Sequence, residues 1–174
     1  MSKTPPPATE NEPTRWAEPV YLDASALVKL FVPEAESDEL NLALTGLTDV
    51  IVSDLALTEV ASALGRRTRE GRLTREESDR LYREATKLQA TSQPAELTPP
   101  VHRRAERLML SLSIPLRTLD ALHIATALDA RAATVVTFDG PRFTPVLPLS
   151  LSSCMCASND AWSVTLTLNS IREW

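Results

Sequence analysis

Residues 20–32 read VYLDASALVKLFV, an apolar run with one aspartate, Asp23, set into it. Val20, Tyr21 and Leu22 have the β-branched, aromatic and aliphatic character of a short buried strand. Ser25 to Phe31 should turn into a helix that Pro33 interrupts. A carboxylate inside a segment that otherwise seeks burial costs several kcal/mol unless something pairs with it. Asp23 therefore marks both the end of a strand and a position that needs a chemical reason.

Working outward, helical and strand-like segments alternate. Glu34 to Leu47 carries Leu40, Leu44 and Leu47 on one stripe, with Gly46 near its end. Val50-Ile51-Val52 suits a second interior strand, and Ser53-Asp54 can cap a helix from Leu55 to about Glu70 that Gly71 stops. Thr74 and Glu77 have the spacing of a capping box, opening a helix with Leu81, Ala85 and Leu88 on one side. Gln93 to Leu97 reads as a short strand. Thr98-Pro99 opens a helix with Val101, Ala105, Leu108, Met109 and Leu112 on its apolar face, ending before Pro115. Thr118 is the expected cap of an alanine-rich helix over Ala121 to Leu128, and Thr134 to Asp139 is a β-branched run of the kind found in parallel sheets covered on both faces. The alternation predicts a three-layer α/β domain, a central parallel sheet flanked by helices, with its site at the carboxyl ends of the strands.

The domain is expected over residues 20–148. Residues 1–19, proline-rich and without periodicity, read as a flexible leader. Beyond Gly140, Val146-Leu147 between prolines is a candidate last strand and Trp162 to Leu168 alternates as a strand would, but residues 149–174 form an extension with no assignable structure.

At 174 residues, 43% hydrophobic and 24% charged, the chain has the size and composition of one globular domain. It has no apolar run of the roughly 18–20 residues a membrane span needs and no secretory pattern at its N-terminus, which points to the cytoplasm. Cys154 and Cys156, one residue apart, suit neither a disulfide nor a complete zinc site. The net charge of −5 alone argues against a polyanion partner, yet residues 54–120 hold 12 of the 18 basic residues against 10 acids. That mild basic excess fits a nucleic acid and fits solvated helix faces equally well.

Three more carboxylates stand in settings like that of Asp23: Glu59 among Leu57, Val60 and Ala61, Asp120 in a first helical turn, and Asp139 after a strand. Each has an ordinary explanation, as a helix-dipole partner, a turn residue or a solvated side chain. Together they can converge at one sheet edge, where carboxylates repel unless a cation sits among them. Hard oxygen donors favour Mg²⁺, with Mn²⁺ as a substitute, and such an ion activates water against a phosphodiester.

The segments LDASALVKLF, LTEVASAL, RTLDALHIATAL and VVTFD, in order between about Val20 and Asp139, resemble the four acidic blocks of the PIN-domain ribonucleases, and most closely the VapC-like toxins of type II toxin–antitoxin systems. The resemblance implies a metal-dependent endoribonuclease with Asp23, Glu59, Asp120 and Asp139 as catalytic metal ligands and Ser25 orienting water or metal. It also implies a homodimer, neutralised by a small antitoxin inserted near the acidic groove. The chain departs from the family after Asp139, where a final helix and strand are expected and Gly140 to Pro148 is proline-rich.

Among the neighbours, Arg117 and Arg66 are candidate RNA phosphate contacts, each with a surface or salt-bridge alternative. His123, one turn after Asp120, reads as a hydrogen-bonded packing histidine before a base, and Lys29 as a solvated lysine. Two other nuclease-free or toxin-free readings stand beside the leading one: a non-catalytic PIN-like binding module, and a PIN nuclease of RNA processing. An aspartyl-phosphate phosphatase is disfavoured because Ser25 stands where that chemistry wants a second aspartate, and a dinucleotide site because the chain has four glycines and no phosphate-cradling loop.

Overall fold

The computed structural model describes residues 16–34, 36–111, 116–138 and 166–167. Its elements in chain order are β1 (Val20–Leu22), α1 (Ala24–Phe31), α2 (Ser37–Leu44), β2 (Val50–Ser53), α3 (Asp54–Arg69), α4 (Arg75–Thr91), β3 (Gln93–Ala95), α5 (Pro99–Ser111), α6 (Thr118–Asp129), β4 (Thr134–Val136) and β5 (Leu166–Thr167). The sheet order is β3-β2-β1-β4-β5. The first four strands are parallel, and β5 runs antiparallel to β4.

β1 is the centre of this sheet, with Val20, Tyr21 and Leu22 in register with Val50, Ile51 and Val52 on one side and with Thr134, Val135 and Val136 on the other. Alternate side chains leave a strand on opposite faces. Tyr21, Ile51 and Val135 accordingly pack under α5 and α6, while Val20, Leu22, Val52 and Val136 pack against α1, α3 and α4. Both faces being covered explains why the strands read as continuous apolar runs rather than alternating ones. The alanines of α6, Ala121, Ala125 and Ala127, are fully buried, which lets this helix lie close to the sheet and to α5. The expected three-layer α/β architecture is the observed one.

Several boundaries differ from expectation, each for a local reason. The helix expected over Glu34 to Leu47 is Ser37–Leu44. Glu36 takes a left-handed φ of 67°, and the Ser37 hydroxyl donates to the Lys29 carbonyl while accepting from the Glu34 N–H, so the chain is tied down before helix can start. Thr118 is the first residue of α6 rather than its cap; Arg117 is the cap and supplies no side-chain hydrogen bond. β3 stops at Ala95, where a Thr98 N–H to Glu96 carbonyl bond tightens the turn. β4 stops at Val136, because the Phe138 N–H is drawn to the Ser25 hydroxyl. Gly71 closes α3 as expected, at φ 70° with the Arg72 N–H reaching the Arg67 carbonyl.

The end of the expected leader belongs to the fold. Trp16 is buried in the core, the Thr134 hydroxyl donates to the Ala17 carbonyl, and the Glu18 carboxylate accepts from the Thr48 and Asp49 N–H groups at 2.7 and 2.6 Å. A strand does occur within the alternating stretch Trp162 to Leu168, as β5. Residues 1–15, the candidate strand Val146-Leu147, Cys154 and Cys156 lie outside the described residues. Among the described residues no helix is long and apolar enough to cross a membrane.

The central position of Ile51, fully buried, makes it a test of this core. Ile51→Ala should lower the unfolding free energy by about 2–5 kcal/mol, seen as a fall in the urea midpoint at unchanged m-value. Leu42→Ala, at a residue 74% exposed on α2, should change it by less than about 0.5 kcal/mol.

Candidate active site

The carboxyl ends of β1, β2 and β4 open onto one region, and each delivers polar groups to it. From β1 comes Asp23, 2% exposed, as the N-cap of α1. Its Oδ1 accepts from the Ala26 N–H at 2.9 Å and from the Ser25 hydroxyl at 2.6 Å. Thr137, just beyond β4, adds a further hydrogen bond to the carboxylate. Ser25 in turn accepts from the Phe138 N–H at 2.7 Å, and the Asp23 N–H donates to the Val136 carbonyl. Burial pushes the Asp23 carboxyl above the usual aspartate range, against the opposing pull of His123, Ser25, Thr137 and the Ala26 N–H. The three hydrogen bonds thus do not fully offset the loss of water.

A second buried chain of polar groups crosses the sheet end. The Tyr21 hydroxyl lies 2.7 Å from Ser53 Oγ and 2.7 Å from His123 Nδ1, and His123 Nε2 lies 2.5 Å from Glu59 Oε2. Ser53 also caps α3, accepting from the Ala56 N–H. A carboxylate only accepts, so Nε2 carries the hydrogen at the Glu59 end. With the imidazole neutral, Ser53 can donate to Tyr21 and Tyr21 to Nδ1; with it charged, Nδ1 donates to Tyr21 and Tyr21 to Ser53, so every member is satisfied in either form. Burial holds the Tyr21 phenol far above its ordinary range; the Ser53 bond opposes this, while the charges of Asp23 and Glu59 add to it. Both acids therefore sit within electrostatic reach of one buried hydroxyl.

Outside these buried groups lies a groove of about 540 Å³, lined by Ser25, Lys29, Glu59, Arg66, Arg67 and Phe138 among others. Glu59 is the bridge between the two regions, its side chain 27% exposed. Arg66 is exposed on the groove wall, whereas Arg67 is ion-paired with Glu34. Lys29 is not the solvated lysine expected: its ammonium lies 2.7 Å from Glu36 and 4.9 Å from the Phe138 ring centre, with only 15% of the side chain exposed.

Of the residues singled out from sequence, Asp23 and Ser25 are in direct contact, Glu59 reaches the same region from α3, and Asp120 is buried in the first turn of α6, one turn before His123. Arg66 lines the groove; Arg117 is exposed and is not among the groove-lining residues. Asp139 lies outside the described residues. Among the described residues, no three His, Cys, Asp or Glu side chains come together closely enough to hold a metal ion. In chemistry the acids do suit a hard divalent cation: the donors are carboxylate oxygens, and Asp23 is a buried carboxyl whose charged form a neighbouring cation would favour.

Sequence reading did not anticipate Tyr21, Ser53 and Thr137 as site residues, nor the pairing of His123 with Glu59. Tyr21 carried one signal, since period-2 geometry puts its side chain on the face opposite Val20 and Leu22, toward α6.

A family model for the PIN domain matches residues 20–141. Ribonuclease VapC45 of Mycobacterium tuberculosis (strain CDC 1551 / Oshkosh) is 37% identical over 109 residues, covering 63% of this chain and 74% of that protein. Among solved structures, M. tuberculosis VapC20, a sarcin-ricin loop cleaving toxin, superposes with a TM-score of 0.58 at 17% identity, over 74% of this chain and 96% of that one. A toxin–antitoxin complex from Klebsiella pneumoniae gives 0.53 at 17% identity, over 72% and 91%. These two likenesses are of fold.

The burial of Asp23 has a pH signature. Its folded carboxyl titrates above the unfolded one, so the penalty for holding its charge is absent below the ordinary aspartate range and grows as pH rises to the folded value. Asp23→Asn keeps an oxygen to accept from Ser25 and Ala26. In chelator-treated protein it should be as stable as the parent or more so at pH 7, with the difference shrinking toward pH 4, as read from urea midpoints. A large loss of stability at both pH values would make Asp23 a structural residue instead.

Proposed function

The chain belongs to the PIN-domain family, and from that membership we propose that it is a metal-dependent endoribonuclease, the toxin of a toxin–antitoxin pair, hydrolysing RNA phosphodiester bonds at a site built on Asp23, Glu59, Asp120 and Asp139. The observation that carries this reading is Asp23, a buried carboxyl at the end of the central strand whose charged form burial disfavours. A cation beside it would reverse that disadvantage. The ribonuclease name of the 37% identical relative supports RNA as the substrate.

Asp23, Asp120, Asp139 and Glu59 are the residues that would hold Mg²⁺ or Mn²⁺. When bound, such an ion polarises the phosphoryl group and neutralises charge that builds on the leaving oxygen. The chain's own residues do the rest. Ser25 donates to Asp23 Oδ1 and accepts from Phe138, which keeps the carboxylate in one orientation as substrate enters. Arg66 on the groove wall contacts a backbone phosphate flanking the cut, and the exposed Arg117 is a second candidate for such a contact. Buried Tyr21 stays protonated and serves as a hydrogen-bond donor rather than a base.

The partner would be a small antitoxin docking at or beside this groove, and the active form a homodimer. The toxin–antitoxin complex from K. pneumoniae, similar in fold, supports the first of these.

The test is RNA cleavage by the full chain with Mg²⁺ or Mn²⁺ against a chelator control, alongside growth on induced expression. Removing a ligand forfeits several kcal/mol of transition-state stabilisation, so Asp120→Asn and Glu59→Gln should each lower the cleavage rate by about a hundredfold or more and relieve growth arrest. Cleavage that persists undiminished in both variants, or in the chelator, would sink the proposal.

A further inference from the structure

The chain Ser53–Tyr21–His123–Glu59 is a second device at this site, and the metal-acid reading leaves it unused. Its members come from β2, β1, α6 and α3, are separated by up to 102 residues, and are buried except for the Glu59 end. His123 is 4% exposed, lies edge-on to the Tyr21 ring with ring centres 5.8 Å apart, and through Nε2 touches Glu59, which lines the groove. A packing role alone requires an imidazole-sized body; it does not require both nitrogens to be engaged. Here each nitrogen has a specific partner, and the partner on the groove side is a site acid.

We propose that His123 is the positioning residue of Glu59: Tyr21, itself braced by Ser53, fixes the imidazole through Nδ1, and the Nε2 hydrogen clamps one Glu59 oxygen so that the carboxylate is presented to the groove in one orientation. The inference rests on the reading of Glu59 as a site acid. A glutamate side chain has three free torsions, and a clamp on one oxygen removes the freedom that would otherwise blur its place in the site. Hydrogen-bonded partners behind a metal-ligating side chain act in this way in general. Because the imidazole is buried and held by Tyr21 at its other nitrogen, it is not free to follow Glu59 outward. The carboxylate must come to it.

Two amide replacements separate positioning from packing. His123→Gln sets a donor nitrogen near the place of Nε2 and keeps the clamp, whereas His123→Asn sets its amide near Nδ1, where the amide oxygen can accept from Tyr21, and abandons Glu59. Titrating the full-length variants with Mn²⁺ by calorimetry, we expect His123→Asn to weaken binding by about 10–100-fold and His123→Gln by no more than about threefold, with similar melting temperatures. Parent-like binding in both variants, or equal losses that track their melting temperatures, would overturn the clamp. A metal-free readout distinguishes its failure from that of the ribonuclease reading: at one fixed pH, the ¹⁵N signals of the His123 ring should shift in Glu59→Gln and in Tyr21→Phe while those of His102 stay in place. If the parent binds no Mn²⁺ but those signals shift, the metal site fails and the clamp stands; if they do not shift, the clamp fails.

Discussion

The structure turns on the burial of one carboxyl at the end of its central strand. β1 has strands on both sides and helices on both faces, and the position directly after it is withdrawn from water. Asp23 nevertheless stands there. The local chain answers with every donor in reach: the first turn of α1 through the Ala26 N–H, the Ser25 hydroxyl, and Thr137 from the neighbouring strand end. Those bonds also hold the architecture. Ser25 reaching Phe138 and the Asp23 N–H reaching Val136 lock the start of α1 to the end of β4, elements more than 100 residues apart. A group that is costly to bury has become the point at which the sheet end is pinned.

Tyr21 extends the same logic to the other face of β1. Its ring belongs to the core under α5 and α6, but its hydroxyl needs a partner once buried. Ser53 and His123 both supply one, and His123 passes the connection on to Glu59. In surroundings of low dielectric these bonds are stronger than in water, and an unpaired member would cost correspondingly more. The arrangement is therefore close to all-or-none, which is what a site needs if its outer residue is to be held still.

Much of the fold was legible because its causes are local. Short β-branched runs, a capping box at Thr74 and a glycine after α3 mark their elements with nearest-neighbour chemistry. Misjudged boundaries had non-local causes: α2 starts late because Ser37 is held by the Lys29 carbonyl, and β4 stops early because Phe138 turns to Ser25. Lys29 looked like surface because its partners, Glu36 and the Phe138 ring, meet it only after the chain folds back. The burial of Asp23 and Asp120 could be expected from their apolar settings. Their partners could not, since a tyrosine and a histidine 102 residues apart leave no spacing to read.

The two buried polar groupings draw on helices from both layers yet meet through β1, and this bears on how such a site can be built at all. Carboxylates assembled from a single layer would be free to relax apart as a unit. Here Asp23 is tied into the layer of α1 and α3, Asp120 belongs to α6 in the opposite layer, and Glu59 stands on α3 but is gripped by His123 from α6. The layers are separated by a sheet whose strands β1 and β4 are buried throughout. Close-packed interiors deform little, so acids fixed to different layers cannot drift apart without breaking that core. The charges of Asp23 and Glu59, which both act on the Tyr21 hydroxyl, are then held in place by the whole domain, and of the three acids it is Glu59 that lines the groove between α1 and α3.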